Sequence, residues 1–176
     1  MSAVHNFRES LAVADYQANA PWWEEVYRRA FVDFKAMHRV TEDGWAQRGG
    51  IDRQVILSGG RIVRVEEKVR YEDYPDILLE YWSNYERRTE GWASKALAVD
   101  YIAYAFVPSQ RCYMFPADLL RRVFRENGRE WIVAGRERRG GFREVKAKNV
   151  GYTTYNVAVP IHILMKKLSE SIVVEW

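Results

Sequence analysis

Apolar positions recur along this chain with two different periods, and the change from one to the other marks out the elements. From Pro21, the residues Trp23, Val26, Tyr27, Ala30, Phe34 and Met37 return at helical spacing and make one apolar face, and Pro21 suits a first helical position. A helix is therefore predicted over 21–38. Gly49-Gly50 breaks the pattern. Ile51 to Leu57 then reads as a strand, Ser58-Gly59-Gly60 as a turn, and Arg61 to Arg70 as a second strand that closes a hairpin. Tyr74-Pro75-Asp76 ends it, and Ile77 to Trp82 makes a third strand. A second helix is predicted from Trp92, Ala96, Val99, Ala103 and Phe106, closed by Pro108. Arg111 to Phe115 supplies a fourth strand, and Ala117 to Asn127 a third helix with Leu119, Leu120, Val123 and Phe124 inward. A strand around Tyr155 to Val159 and a short helix from Pro160 through Lys167 complete the order. Residues 1–20 are read as a tail of uncertain order, and 21–176 as one α/β domain with a central mixed sheet flanked by helices.

Side chains on a strand alternate between its faces, so Val63, Val65 and Val69 share one side of the second strand while Arg64, Glu66, Lys68 and Arg70 share the other. Glu66 and Lys68 are thus neighbours on the polar face. The turn decides whether Asp52 joins them. A two-residue Gly59-Gly60 turn sets Asp52 opposite Glu67; a three-residue Ser58-Gly59-Gly60 loop pairs Leu57 with Arg61 and sets Asp52 opposite Glu66. Three-residue hairpin loops commonly end on a glycine in the left-handed region, which Gly60 provides, so the second register is expected. It would bring two carboxylates to about 5 Å at Cβ. Like charges so placed repel unless a cation lies between them, and carboxylate oxygens together with waters suit Mg²⁺ or Mn²⁺. Lys68, beside two anions, is expected to keep its proton, to hold an attacking water and to neutralise developing charge. The plain alternative is a solvated surface strand, on which Glu and Lys two apart are common.

Composition narrows the field. With 48% hydrophobic and 29% charged residues in 176, the chain has the balance of an ordinary globular protein. No run approaches a membrane span, and the N-terminal residues lack a signal peptide's apolar core, so a cytoplasmic protein with no membrane partner is expected. The single cysteine, Cys112, sits in a strand-like apolar setting and reads as a structural thiol. His5, His38 and His162 have no ligand spacing, which argues against zinc, and no glycine loop for nucleotide phosphates is present. The net charge of +3 is unevenly distributed. Arg136, Arg138, Arg139, Arg143, Lys146 and Lys148, followed by Tyr152 and Tyr155, combine cations for phosphates with rings that can stack on bases. The competing reading is a solvated basic loop with core tyrosines. Arg121, Arg122 and Arg125 read as simple surface charge.

The motifs Gln47-x-Gly49-Gly50-Ile51-Asp52 and Val65-Glu66-Glu67-Lys68, in an α-β-β-β-α-β series, resemble the PD-(D/E)XK nuclease superfamily. That superfamily includes Holliday-junction resolvases, phage-type exonucleases and restriction endonucleases. The resemblance covers roughly 21–115, and the first motif lacks the family's proline. It implies a restriction-endonuclease-like core and metal-dependent hydrolysis of DNA phosphodiesters, with Asp52 and Glu66 as ligands of Mg²⁺ or Mn²⁺ and Lys68 as the catalytic lysine. Some such nucleases place another acid on the first helix. Glu24 is favoured over Glu25 for that place, lying about 90° from the centre of the apolar stripe. A solvated helix acid is the alternative, and Glu80 could border the same site from the third strand. The competing functions are a catalytically silent nuclease-fold protein that binds DNA and an assembly protein. The oligomeric state stays open, a homo-oligomer included.

Overall fold

The structure is a computed structural model that describes residues 19–40 and 49–176; Gln47, His5 and most of the N-terminal tail lie outside the described residues. In chain order the elements are α1 (Trp22–Ala30), β1 (Phe34–Arg39), β2 (Arg53–Leu57), β3 (Ile62–Arg70), β4 (Asp76–Asn84), β5 (Thr89–Glu90) and β6 (Tyr101–Phe106). There follow β7 (Arg111–Pro116), α2 (Ala117–Arg136), β8 (Arg143–Asn149), β9 (Tyr152–Pro160), α3 (Ile161–Lys167) and β10 (Ile172–Glu175). The architecture is mixed α/β, as the pattern implied. Among the described residues, no helix is long and apolar enough to cross a membrane.

Contacts within the chain fall into two compact units. The first takes in the described residues up to Asp73, then Leu97–Asp118 and Glu170–Trp176. It holds a six-stranded sheet in the order β1-β2-β3-β6-β7-β10, in which β3 and β6 run parallel and the other neighbours antiparallel. Its core joins Trp23, Val26 and Tyr27 of α1 to Val55, Val63, Val65, Ala103, Cys112 and Met114 of the sheet. The second unit takes in Tyr74–Ala96 and Leu119–Ser169, with a four-stranded antiparallel sheet ordered β5-β4-β9-β8.

The first helix ends eight residues earlier than its spacing predicts, at Ala30 rather than His38. Phe31 is extended (φ −124°), and Phe34–Arg39 pairs with β2 as a strand. The register of β1 against β2 shifts between Phe34 and Ala36, and this bulge resets the side-to-side alternation. Phe34 and Met37, three apart, therefore pack against the same core, and a bulged strand carries the spacing of a helix. The helix predicted over 92–106 is also absent: residues 91–100 form turns, and 101–106 are β6. Ile102, Ala103, Tyr104, Ala105 and Phe106 are all buried, so this strand shows a continuous apolar run with no visible period of two. Helix α2 continues past Asn127 to Arg136, because Trp131 and Ala134 extend the buried stripe of Leu120, Val123 and Phe124. The strand predicted at 77–82 exists as β4, but it pairs with β9 and not with the hairpin.

Candidate functional site

The hairpin adopts the expected three-residue loop. The Leu57 N–H donates to the Arg61 carbonyl at 2.9 Å, and Val55 pairs with Val63 and Arg53 with Val65. Gly59 and Gly60 occupy the left-handed region at φ 78° and 81°, where a side chain would be strained. Along β3, Val63 and Val65 enter the core with α1, and Val69 packs against it.

Asp52 lies one residue beyond the last paired position of β2 and is fixed by its backbone on both sides. Its N–H donates to the Val65 carbonyl and its own carbonyl accepts the Val40 N–H, each at 3.0 Å. Its carboxylate Oδ2 accepts the backbone N–H of Glu67 at 2.7 Å. The aspartate thus grips the peptide between Glu66 and Glu67, one residue before Lys68. The Glu66 side chain is 8% exposed; its Oε1 meets the Lys68 ammonium at 2.5 Å, while its Oε2 is buried with no hydrogen-bond partner among the described residues. A buried carboxylate oxygen left unmatched costs about 1–3 kcal/mol or more, so a donor, a water or a cation placed there would be favoured. Gly50, at φ +75°, keeps that place open, since a Cβ there would stand 3.2 Å from Glu66 Oε2 and 2.8 Å from Leu97 Cδ2.

Glu67 points to the opposite face and has no part in the predicted site. Its carboxylate accepts two hydrogen bonds from the Arg53 guanidinium, at 2.8 and 3.1 Å, and one from the Tyr27 hydroxyl at 2.6 Å. Burial pushes the Glu67 carboxyl above its ordinary value against the opposing pull of Arg53 and Tyr27. Burial and the adjoining Glu67 likewise raise the Tyr27 phenol well above its own. The signal was available: an acid between Val65 and Val69 on a core-facing row needs a buried partner, and in the three-residue-loop register Arg53 lies diagonally across from it.

Glu24 does not join Asp52 and Glu66. It is half-exposed on α1 and forms an i,i+4 pair with Arg28 at 2.6 Å, the surroundings of a solvated helix acid. Among the described residues no group of three His, Cys, Asp or Glu side chains is arranged to hold a metal ion. The two remaining acids still suit Mg²⁺ or Mn²⁺ chemically, because Mg²⁺ usually keeps several waters and takes one or two carboxylates. Glu80 is on β4, in the second unit. Cys112 is buried in β7, and burial pushes its thiol far up, in keeping with a structural role.

The basic stretch belongs to the second unit and is ordered by its acids. Glu144, on β8, accepts from Arg136 at 2.8 Å and from the Tyr81 hydroxyl at 2.7 Å, and pairs with Lys146 at 3.1 Å. Burial acts to raise the Glu144 carboxyl, but these three donors outweigh it and hold the group below its ordinary value. Arg143 reaches the buried Asp76 at 2.7 Å, and Arg139 pairs with Glu137. Arg136, Arg138 and Lys146 line a cavity of about 590 Å³ with Tyr81, Tyr85 and Tyr155. The Lys146 ammonium stands 4.9 Å from the centre of the Tyr155 ring. Lys148 is exposed on β8, and Tyr152, half-buried, opens β9. The structure therefore brings together part of the predicted basic set around tyrosine rings, while Arg139 and Arg143 are engaged elsewhere.

No protein-family model matches the chain, and no curated protein or solved structure matches it.

Proposed function

We propose that the protein is a metal-dependent deoxyribonuclease built on a restriction-endonuclease-like core. The observation that carries this reading is the unpartnered, buried Oε2 of Glu66, set beside Lys68 on a strand whose next peptide is held by Asp52. The order of the first unit supports it. Helix α1 is followed by the antiparallel run β1-β2-β3, and then by β6 parallel to β3. The helix of the family's series is replaced in this chain by the excursion through β4 and β5.

Asp52 and Glu66 are the residues that would hold Mg²⁺ or Mn²⁺. When bound there, the ion supplies Lewis-acid polarisation of a phosphate and a more acidic water. Lys68 orients the attacking water and offsets the negative charge that builds on the phosphate oxygens. The cations and tyrosine rings around Glu144 provide a surface of the chemistry that a polynucleotide needs.

The test is cleavage of labelled duplex, single-stranded and junction DNA with Mg²⁺ or Mn²⁺. Wild type is expected to cut only with metal, and Lys68→Ala to lose about 100-fold or more in rate while still binding. Tight DNA binding without cutting in either metal would instead identify a catalytically silent scaffold. No affinity for DNA at low salt would overturn the nuclease reading and favour an assembly protein.

A further inference from the structure

The second unit carries a second, larger groove, of about 970 Å³, that runs along α2. Arg121, Arg125 and Arg129 line it at i, i+4 and i+8, and Arg136 continues the row toward the end of the helix. Successive members of such a row are about 6 Å apart along a helix axis. Like charges at i,i+4 disfavour a helix, so this spacing is not explained by helix stability. Arg125 and Arg129 are exposed and make no ion pair among the described residues. Four arginines line the groove, Arg136 while also bound to Glu144, and among the described residues Glu90 is the one acid in the lining.

Rings and apolar side chains share this lining: Trp82 and Tyr81 come from β4, and Ile132 and Val133 from α2. The guanidinium of Arg88 stands 5.8 Å from the centre of the Trp82 ring, which adds another cation at that end. Charge alone would suit any polyanion. Guanidiniums in a row with an indole beside them suit a chain that alternates charged backbone and flat base, with the bases free to leave a stack.

We infer that this groove binds single-stranded nucleic acid, with Arg125 and Arg129 on consecutive phosphates and Trp82 stacking on a base. The inference rests on the proposed function only in taking a polynucleotide as the partner. It adds a binding track distinct from the residues assigned to cleavage.

Binding is measured by fluorescence anisotropy with a labelled oligothymidylate over a series of salt concentrations, in EDTA so that no cleavage contributes. Wild type is expected to prefer the single strand over a duplex of equal length. Arg125→Ala/Arg129→Ala is expected to bind at least tenfold more weakly at low salt and to lower the slope of log K against log salt by about 1.4. Arg125→Lys/Arg129→Lys keeps the slope, and circular dichroism of both variants reports that α2 is intact. Trp82→Ala weakens binding about fivefold or more with the slope unchanged. An unchanged slope in the double alanine variant overturns the inference. So does equal affinity for the duplex, or displacement by polyglutamate as effective as by unlabelled oligonucleotide. Lys68→Ala serves as the reference: if wild type binds as described but never cuts, the nuclease reading fails and the groove stands. Cutting that persists with binding insensitive to Arg125 and Arg129 has the opposite meaning.

Discussion

Glu67 interrupts a row of valines with a charge, and its partners decide whether that charge is tolerable. The Arg53 and Glu67 side chains are 6% and 5% exposed and meet through two hydrogen bonds, with Tyr27 supplying a third. Removing one member of such a pair leaves a buried charge without compensation, at about 3–5 kcal/mol, whereas replacing both by apolar groups of similar volume is often close to neutral. Arg53→Met is therefore expected to lose about that much in guanidinium unfolding. Arg53→Met/Glu67→Leu is expected to recover most of it. Equal losses in the two variants would show that the pair is not mutually dependent. The same anchor bears on chemistry, because Glu66 and Lys68 flank Glu67 on one strand. With the Glu67 side chain held below by Arg53 and Tyr27, and its N–H held by Asp52, the two flanking side chains have little freedom to change face.

At the level of elements, the parallel join of β3 to β6 is secured before the ladder begins. Asp100 donates its N–H to the Arg64 carbonyl at 2.8 Å and accepts the Arg64 N–H on Oδ2 at 2.7 Å, and its carbonyl takes the Ala117 N–H at 2.9 Å. Asp100→Ala removes the acceptor from this exposed hydrogen bond, with an expected loss of about 0.5–1.5 kcal/mol in chemical denaturation. Asp100→Asn, which keeps an acceptor oxygen, is expected to retain most of the stability. In the four-stranded sheet, Glu144 ties β8 to Arg136 at the end of α2 and to Tyr81 on β4. Its carboxyl is held below the ordinary value, so its contribution is present above the unfolded value and is lost as pH falls through the lower folded one. Melting temperatures taken downward from about pH 4.5 should thus fall less steeply in Glu144→Gln than in wild type. Identical slopes would mean that Glu144 titrates alike in both states. These elements also show why the sequence was legible in some places only. The β2-β3 hairpin could be read with its register because turn glycines and a period of two act locally. Strand β1 hid behind a bulge, β6 behind burial on both faces, and the pairing of β4 with β9 depends on a contact between distant stretches that no local pattern records.

At the scale of the molecule, the six-stranded sheet is gathered from three separated stretches of chain, and the last of them closes it. Strand β10 pairs with β7 through Ile172 to Glu175, buries Val174, and is followed by Trp176, whose ring stacks on Trp22 of α1 at 4.8 Å. The Trp176 N–H donates to the Gln110 carbonyl at 3.0 Å, and Arg29 of α1 donates to the Glu175 carbonyl at the same distance. Loss of this strand removes apolar burial from two elements and leaves β7 as an unpaired edge. Deletion of residues 172–176 is expected to cost about 3 kcal/mol or more, from the side-chain burial of Val174 and the Trp stack. Amide exchange distinguishes this from a general loosening. The outer N–H groups of β7 that face β10 should lose protection first, while those between β2 and β3 stay slow, because two strand pairings separate the hairpin from the new edge. Should the β7 amides remain protected after the deletion, β10 does not complete this sheet in solution, and the packing of Trp22 must be supported by α1 and its remaining neighbours.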